Sequence, residues 1–161
     1  MAVKKIHPAL IGSIIAVLMV ATLLAGYNQS LLSAETAQLL AYGLYTLGVG
    51  ATLLLHGGPS NGFGTNFSAG FRCFIVITLI MVVFTYVFNA LHPETAQQAA
   101  ELYRVSLQMA KNRTPDEIEK EVKLFRDGFA TMVVSRSIFG YLVFGAVVTA
   151  VGSVLQMLRK S

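Results

Sequence analysis

Thirteen of the twenty charged residues fall between Glu94 and Asp127, and four long stretches outside that segment carry no formal charge at all. The charge-free runs are Ile6 to Ala34, Thr36 to Phe71, Cys73 to Pro93 and Ser137 to Leu158. Each is long enough for the roughly 20 residues a helix needs to cross hydrocarbon. The expected fold is therefore all-α: a polytopic membrane protein with four transmembrane helices and an extramembrane helical hairpin between the third and fourth. The spans are expected at about residues 6–26, 36–56, 73–91 and 137–158, and the hairpin at about 94–135. With 55% hydrophobic residues in 161, four spans consume about half the chain, leaving one membrane domain over residues 1–161 and no room for a second globular one.

The net charge of +4 hides an asymmetry. The Glu94 to Asp127 segment holds six basic and seven acidic residues, whereas the rest holds six basic residues and only Glu35. No Lys/Arg stripe with interleaved aromatics appears, so nucleic acid is not an expected partner. Basic residues at the ends of apolar runs are placed to meet lipid headgroups. The single cysteine, Cys73, permits no intramolecular disulfide and reads as a small hydrophobe. Behind Lys4 and Lys5 the apolar core from about Ala9 to Gly26 exceeds the 7 to 15 residues of a signal core, so the first run is expected to be a retained span.

Local signals set the boundaries. Pro8 suits a first helical turn, and Gly26-Tyr27-Asn28 ends that helix. Gly57-Gly58-Pro59 stops the second, with a flexible glycine-rich loop expected as far as Asn66. His92-Pro93 closes the third. Within the charged segment, Thr114-Pro115-Asp116-Glu117 supplies an N-cap threonine, a proline at the first helical position and a glutamate three residues after the cap, a capping box. Downstream, Ile118, Val122, Phe125, Phe129 and Met132 repeat at helical spacing, and Ala99, Leu102, Ser106 and Met109 offer a matching face upstream. An antiparallel hairpin turning near Asn112 is expected, resting on the membrane or on a partner protein. Lys4, Lys5, Arg72, Arg159 and Lys160 on one side favour cytoplasmic termini in a bacterial inner membrane.

Candidate sites are sparse. Gly12 with Ala16, and Gly145 with Thr149 and Ser153, have the spacing that lets helices approach closely in lipid. Ile118, Val122, Phe125 and Phe129 are the candidate docking residues. His7 and His56 would share one membrane side, a conceivable haem or metal pair, but histidines also sit comfortably at a water interface, and no third ligand is in view. The loop from Gly57 to Asn66 lacks the Lys-Ser/Thr pair of a phosphate-binding loop. Three sequons, at Asn28, Asn66 and Asn112, carry no assigned role. Thr78, Thr85 and Asn89 share a face suited to a polar path or to interhelical hydrogen bonds. No Asp, Glu, Lys or Arg lies inside an expected span, which disfavours a pump or symporter. No nucleophile and base pair appears, so no enzyme activity and no cofactor are expected.

The run Asn66-Phe67-Ser68-Ala69-Gly70-Phe71-Arg72, followed by an apolar helix that ends in Leu91-His92-Pro93-Glu94, resembles small Bacteroidota inner-membrane proteins of the domain of unknown function 4199. The resemblance extends to the charged Thr95 to Asp127 insertion and a Gly- and Ser-rich last helix over Gly145 to Lys160. It implies ancestry and a membrane compartment, and carries over no functional residue. Three functions follow from the residues. A non-enzymatic subunit whose hairpin docks onto a larger envelope complex comes first. An oligomeric passive channel or lipid-handling carrier is the alternative, and an enzyme acting on a lipid-linked substrate through Arg72 and Arg136 is the weakest. Expected partners are membrane lipids and either a protein or further copies of the chain.

Overall fold

The computed structural model describes residues 6–28 and 32–159. Lys4, Lys5 and Lys160, on which part of the orientation argument rests, lie outside them. The described chain consists of helices α1 (Pro8–Tyr27), α2 (Ala34–His56), α3 (Phe63–Leu91), α4 (Pro93–Ala110) and α5 (Pro115–Leu158). The starts of α1, α2 and α5 each have a local cause in a side-chain cap. His7 caps α1, its Nδ1 accepting the Ala9 N–H at 3.2 Å, with Pro8 at the first helical position. Ser33 accepts the Thr36 N–H at 3.2 Å and caps α2. Such caps satisfy amides that have no partner inside the helix. α4 stops where Lys111 turns into the left-handed region, at φ 51°. α5 then opens on the capping box: Glu117 N–H donates to Thr114 Oγ1 at 3.4 Å, and Glu117 Oε2 accepts from the Thr114 N–H at 2.8 Å.

Two boundaries differ from the sequence reading. α3 begins at Phe63 rather than Cys73, so the glycine-rich stretch supplies only a short connection to it. Nothing between Gly62 and Leu91 is a proline, and a lone Arg72 marks a change of polarity without breaking a backbone. Phe63, Phe67 and Phe71 stack at four-residue spacing, with centroids 5.7 and 6.4 Å apart, along these added turns. The second hairpin helix and the expected fourth span are also one helix. Ser135-Arg136-Ser137 contains no breaker, so α5 continues for 44 residues, about 66 Å at 1.5 Å per residue.

The chain forms two compact units, Met1–Met81 with Phe139–Ser161, and Val82–Ile138. In the first, α1 and α3 run one way while α2 and the end of α5 run the other, as the neighbours show. Ile15 meets Gly48, Gly12 meets the Cys73 carbonyl, Thr149 meets Gly70, and Leu53 meets Gly152. Ala16, Met19, Tyr45, Val49, Ile77 and Met81 are fully buried among these helices. Leu47, Leu54, Leu79, Val147 and Leu155 instead stand on the outside, each more than half exposed. In the second unit, Ala100 and Leu107 of α4 bury against Ile118 and Val122 of α5, with Tyr103 and Phe125 stacked at 4.7 Å beside them.

Candidate functional site

The small residues singled out from sequence sit inside the first unit. A Cβ on Gly12 would lie 2.7 Å from the Cys73 carbonyl oxygen, so α1 and α3 touch through bare backbone. Ala16, Thr149 and Ser153 are fully buried, and Ser153 Oγ donates to the Thr149 carbonyl at 2.7 Å. A Cβ on Gly145 would collide with the Tyr45 hydroxyl and come within 2.7 Å of the Phe74 ring. That gap matters because Tyr45 Oη crosses it to donate to the Tyr141 carbonyl at 3.0 Å, with Thr78 Oγ1 at 3.5 Å. A buried phenol needs such partners. Thr78 thus belongs to a structural hydrogen-bond seam. Thr85 and Asn89 fall in the second unit, where Asn89 Nδ2 donates to the Thr85 carbonyl at 2.8 Å.

The hairpin residues are placed differently. Ile118 and Val122 are covered by α4 of the same chain, so their apolar face is already occupied; Phe125 and Phe129 remain half-buried. The face of α4 that covers them is Ala100, Tyr103 and Leu107 rather than Ala99, Leu102, Ser106 and Met109. α4 in fact carries two apolar stripes, and the outer one stands bare: Leu102 and Met109 are each 74% exposed, with exposed Val105 between them. Charges tie the hairpin together. Arg104 forks onto Glu119, Nη1 to Oε1 at 2.6 Å and Nη2 to Oε2 at 3.2 Å, and Arg113 pairs with Glu121, which also receives the Tyr103 hydroxyl at 3.4 Å. Hydrogen bonds from the Thr114 backbone and hydroxyl, with the Arg113 charge nearby, hold the Glu117 carboxyl below the ordinary glutamate range.

Sequence reasoning does not foresee a notch of mixed polar and apolar lining at the end of the first unit, where α1 starts and α2 stops. It has a volume of about 610 Å³ and is lined by His7, Pro8, His56, Gly64, Thr65, Ser68, Ala69 and Arg72. The stretch expected to be a flexible loop is fastened beside it. Fully buried Asn66 clasps Gly58, accepting its N–H at 3.1 Å and donating to its carbonyl at 3.2 Å. Two signals pointed here, the histidines on one side and Arg72 at the end of an uncharged run. What sequence could not supply was α3 extending far enough to place Ser68 and Arg72 beside His7. Among the described residues, no group of three His, Cys, Asp or Glu side chains converges on a common point.

The architecture defines a class: an all-α chain with four helices long and apolar enough to cross a membrane. A family model described as protein of unknown function (DUF4199) matches residues 9–157. The chain belongs to that family, in agreement with the resemblance read from its motifs. No curated protein and no solved structure matches it.

Proposed function

We propose that this chain is a non-enzymatic integral protein of a bacterial inner membrane, acting as an accessory subunit that binds a larger envelope complex through its α4 and α5 hairpin. The observation that carries this reading is the second, uncovered apolar stripe of α4, Leu102, Val105 and Met109, in the segment richest in charge. A soluble hairpin needs one apolar face to close on itself, and α4 uses Ala100, Tyr103 and Leu107 for that purpose. A second stripe has a use only if something else covers it. Membrane insertion is supported by the aliphatic outer surface of the first unit, since exposed leucines and valines in such number suit lipid rather than water. Counting the basic residues near the short connections supports an orientation with both termini in the cytoplasm.

Isolation of the chain at native abundance in a mild detergent, followed by mass spectrometry of what travels with it, tests the reading. A stoichiometric companion that is lost on Leu102→Glu with Met109→Glu supports docking through α4. Recovery of the chain alone, unchanged by those substitutions, overturns it.

A further inference from the structure

We infer that the notch between His7, His56 and Arg72 is a binding site for a phosphate anion of the kind carried by a phospholipid headgroup. This goes beyond the docking function and stands independently of it. The notch has the volume of ordinary small-molecule sites, which run from about 300 to 1,000 Å³. Its lining provides donors for an anion and no carboxylate: the Arg72 guanidinium, the His7 imidazole, and the hydroxyls of Thr65 and Ser68. Arg72 forms no hydrogen bond or ion pair among the described residues. An exposed arginine at the edge of such a notch, with no carboxylate partner, keeps its full fork of donors available, the geometry that matches phosphate.

Backbone polarity adds to the side chains. α1 begins at the rim, with Pro8 in the lining and no acidic residue in its first turn, and the first turn of α3 contributes Gly64 and Thr65, again without an acid. Both helices turn their positive ends toward this side of the unit, and such ends favour anions. The opposing end of α2 is partly blunted. The Gly57 N–H takes the Leu53 carbonyl at 2.8 Å, and His56 Nδ1 lies 3.3 Å from the Thr52 carbonyl. His7 is oriented usefully as well: its Nδ1 accepts the Ala9 N–H, so in the neutral ring the proton sits on Nε2, which is left to donate. The Asn66 clasp fixes the wall that carries Thr65 and Ser68 before any ligand arrives.

The neighbouring surface indicates where such an anion would come from. Phe63, Phe67 and Phe71 form a continuous stack along the same three turns of α3, next to the polar face. This row places an apolar surface directly beside the arginine, the combination a lipid with an apolar tail and a phosphate head would meet, and basic pockets at the membrane surface hold lipid headgroups.

The test uses the full chain purified in a neutral detergent and titrated with short-chain phosphatidic acid, the matching diacylglycerol, and inorganic phosphate, with bound lipid read by native mass spectrometry. The expected result is a preference for phosphatidic acid over diacylglycerol that falls about tenfold or more in Arg72→Gln. Thr65→Ala, a milder change, is expected to weaken it several-fold. The preference should survive Arg159→Gln, which removes an exposed arginine outside the notch. If inorganic phosphate competes as well as the lipid does, the site stands and its ligand is the free anion; if it competes poorly, the ligand is the headgroup. Equal binding of phosphatidic acid and diacylglycerol would overturn the assignment, as would equal losses in Arg72→Gln and Arg159→Gln.

Discussion

The two units solve the same problem, holding helices together, with opposite materials. Inside Met1–Met81 with Phe139–Ser161, glycines remove side chains so that backbones touch, and buried polar groups such as Tyr45, Thr78 and Ser153 bond across or along the helices. Inside Val82–Ile138, a small aliphatic cluster is closed from outside by arginine and glutamate pairs and begins with a capping box. The first strategy suits helices surrounded by lipid, where water exclusion does not drive association and close packing must. The second suits water, where burying one apolar stripe stabilises a hairpin and charge keeps the remainder solvated. The difference teaches that the partition of charge in the sequence is also a partition of the forces that hold the fold.

The sharpest way to break that contrast is to fill a glycine gap. Gly145→Val drives methyl groups into Tyr45 and Phe74 and is expected to cost about 3 kcal/mol, seen as a lower unfolding midpoint in detergent. Gly43→Val, on a helix position with no neighbouring atom within 4 Å, is expected to change stability by less than about 0.5 kcal/mol. If the two behave alike, close packing is not what holds the first unit.

In the second unit the largest expected loss comes from the aliphatic cluster. Leu107→Ala is expected to cost about 2 kcal/mol, measured as an earlier loss of hydrogen-exchange protection in α4. Leu102→Ala, one and a half turns away on the bare stripe, is expected to leave that protection intact. Thr114→Ala removes the cap and is expected to cost about 1 kcal/mol, fraying the start of α5. The Glu117 carboxyl is stabilised in its charged form, so its contribution is fully present above the ordinary glutamate value and is lost as pH falls through the lower folded value. Protection at the start of α5 should therefore weaken on acidification in the parent chain and much less so in Glu117→Gln, which has no carboxylate to protonate. A smaller loss than that of the cap is expected from Arg104→Gln, whose half-exposed pair with Glu119 is worth under about 1 kcal/mol and should shrink further at high salt.

How much could be read in advance depended on the range of the interaction. The capping box was legible because Thr114 and Glu117 are three residues apart and complete one another. The start of α1 at Pro8 and the turn near Asn112 were legible for similar local reasons. The face of α4 was misread because that helix has two apolar stripes, and periodicity alone cannot tell which one α5 covers. The start of α3 is not legible because Arg72 reads as an edge in the sequence, whereas charge changes a helix's surroundings and leaves its hydrogen bonds alone. Tyr45 meeting Tyr141, 96 positions away, and the notch assembled from α1, α2 and α3 had no local signal. They depend on which helices become neighbours.

The central claim of the proposed reading is that lipid surrounds the apolar helices and water the charged hairpin formed by α4 and the start of α5. It is tested most directly by labelling single cysteines in intact, unsealed membranes with a polar maleimide, on a Cys73→Ala background that removes the one native thiol. Leu47 and Val147 are 68% and 56% exposed in the folded chain, so the chain itself does not shield them and lipid would, whereas Lys120 is exposed on the hairpin. Lys120→Cys should label readily while Leu47→Cys and Val147→Cys stay unlabelled until detergent or denaturant is added. Labelling of all three at similar rates in the membrane would contradict the division into a lipid-facing bundle and a water-facing hairpin.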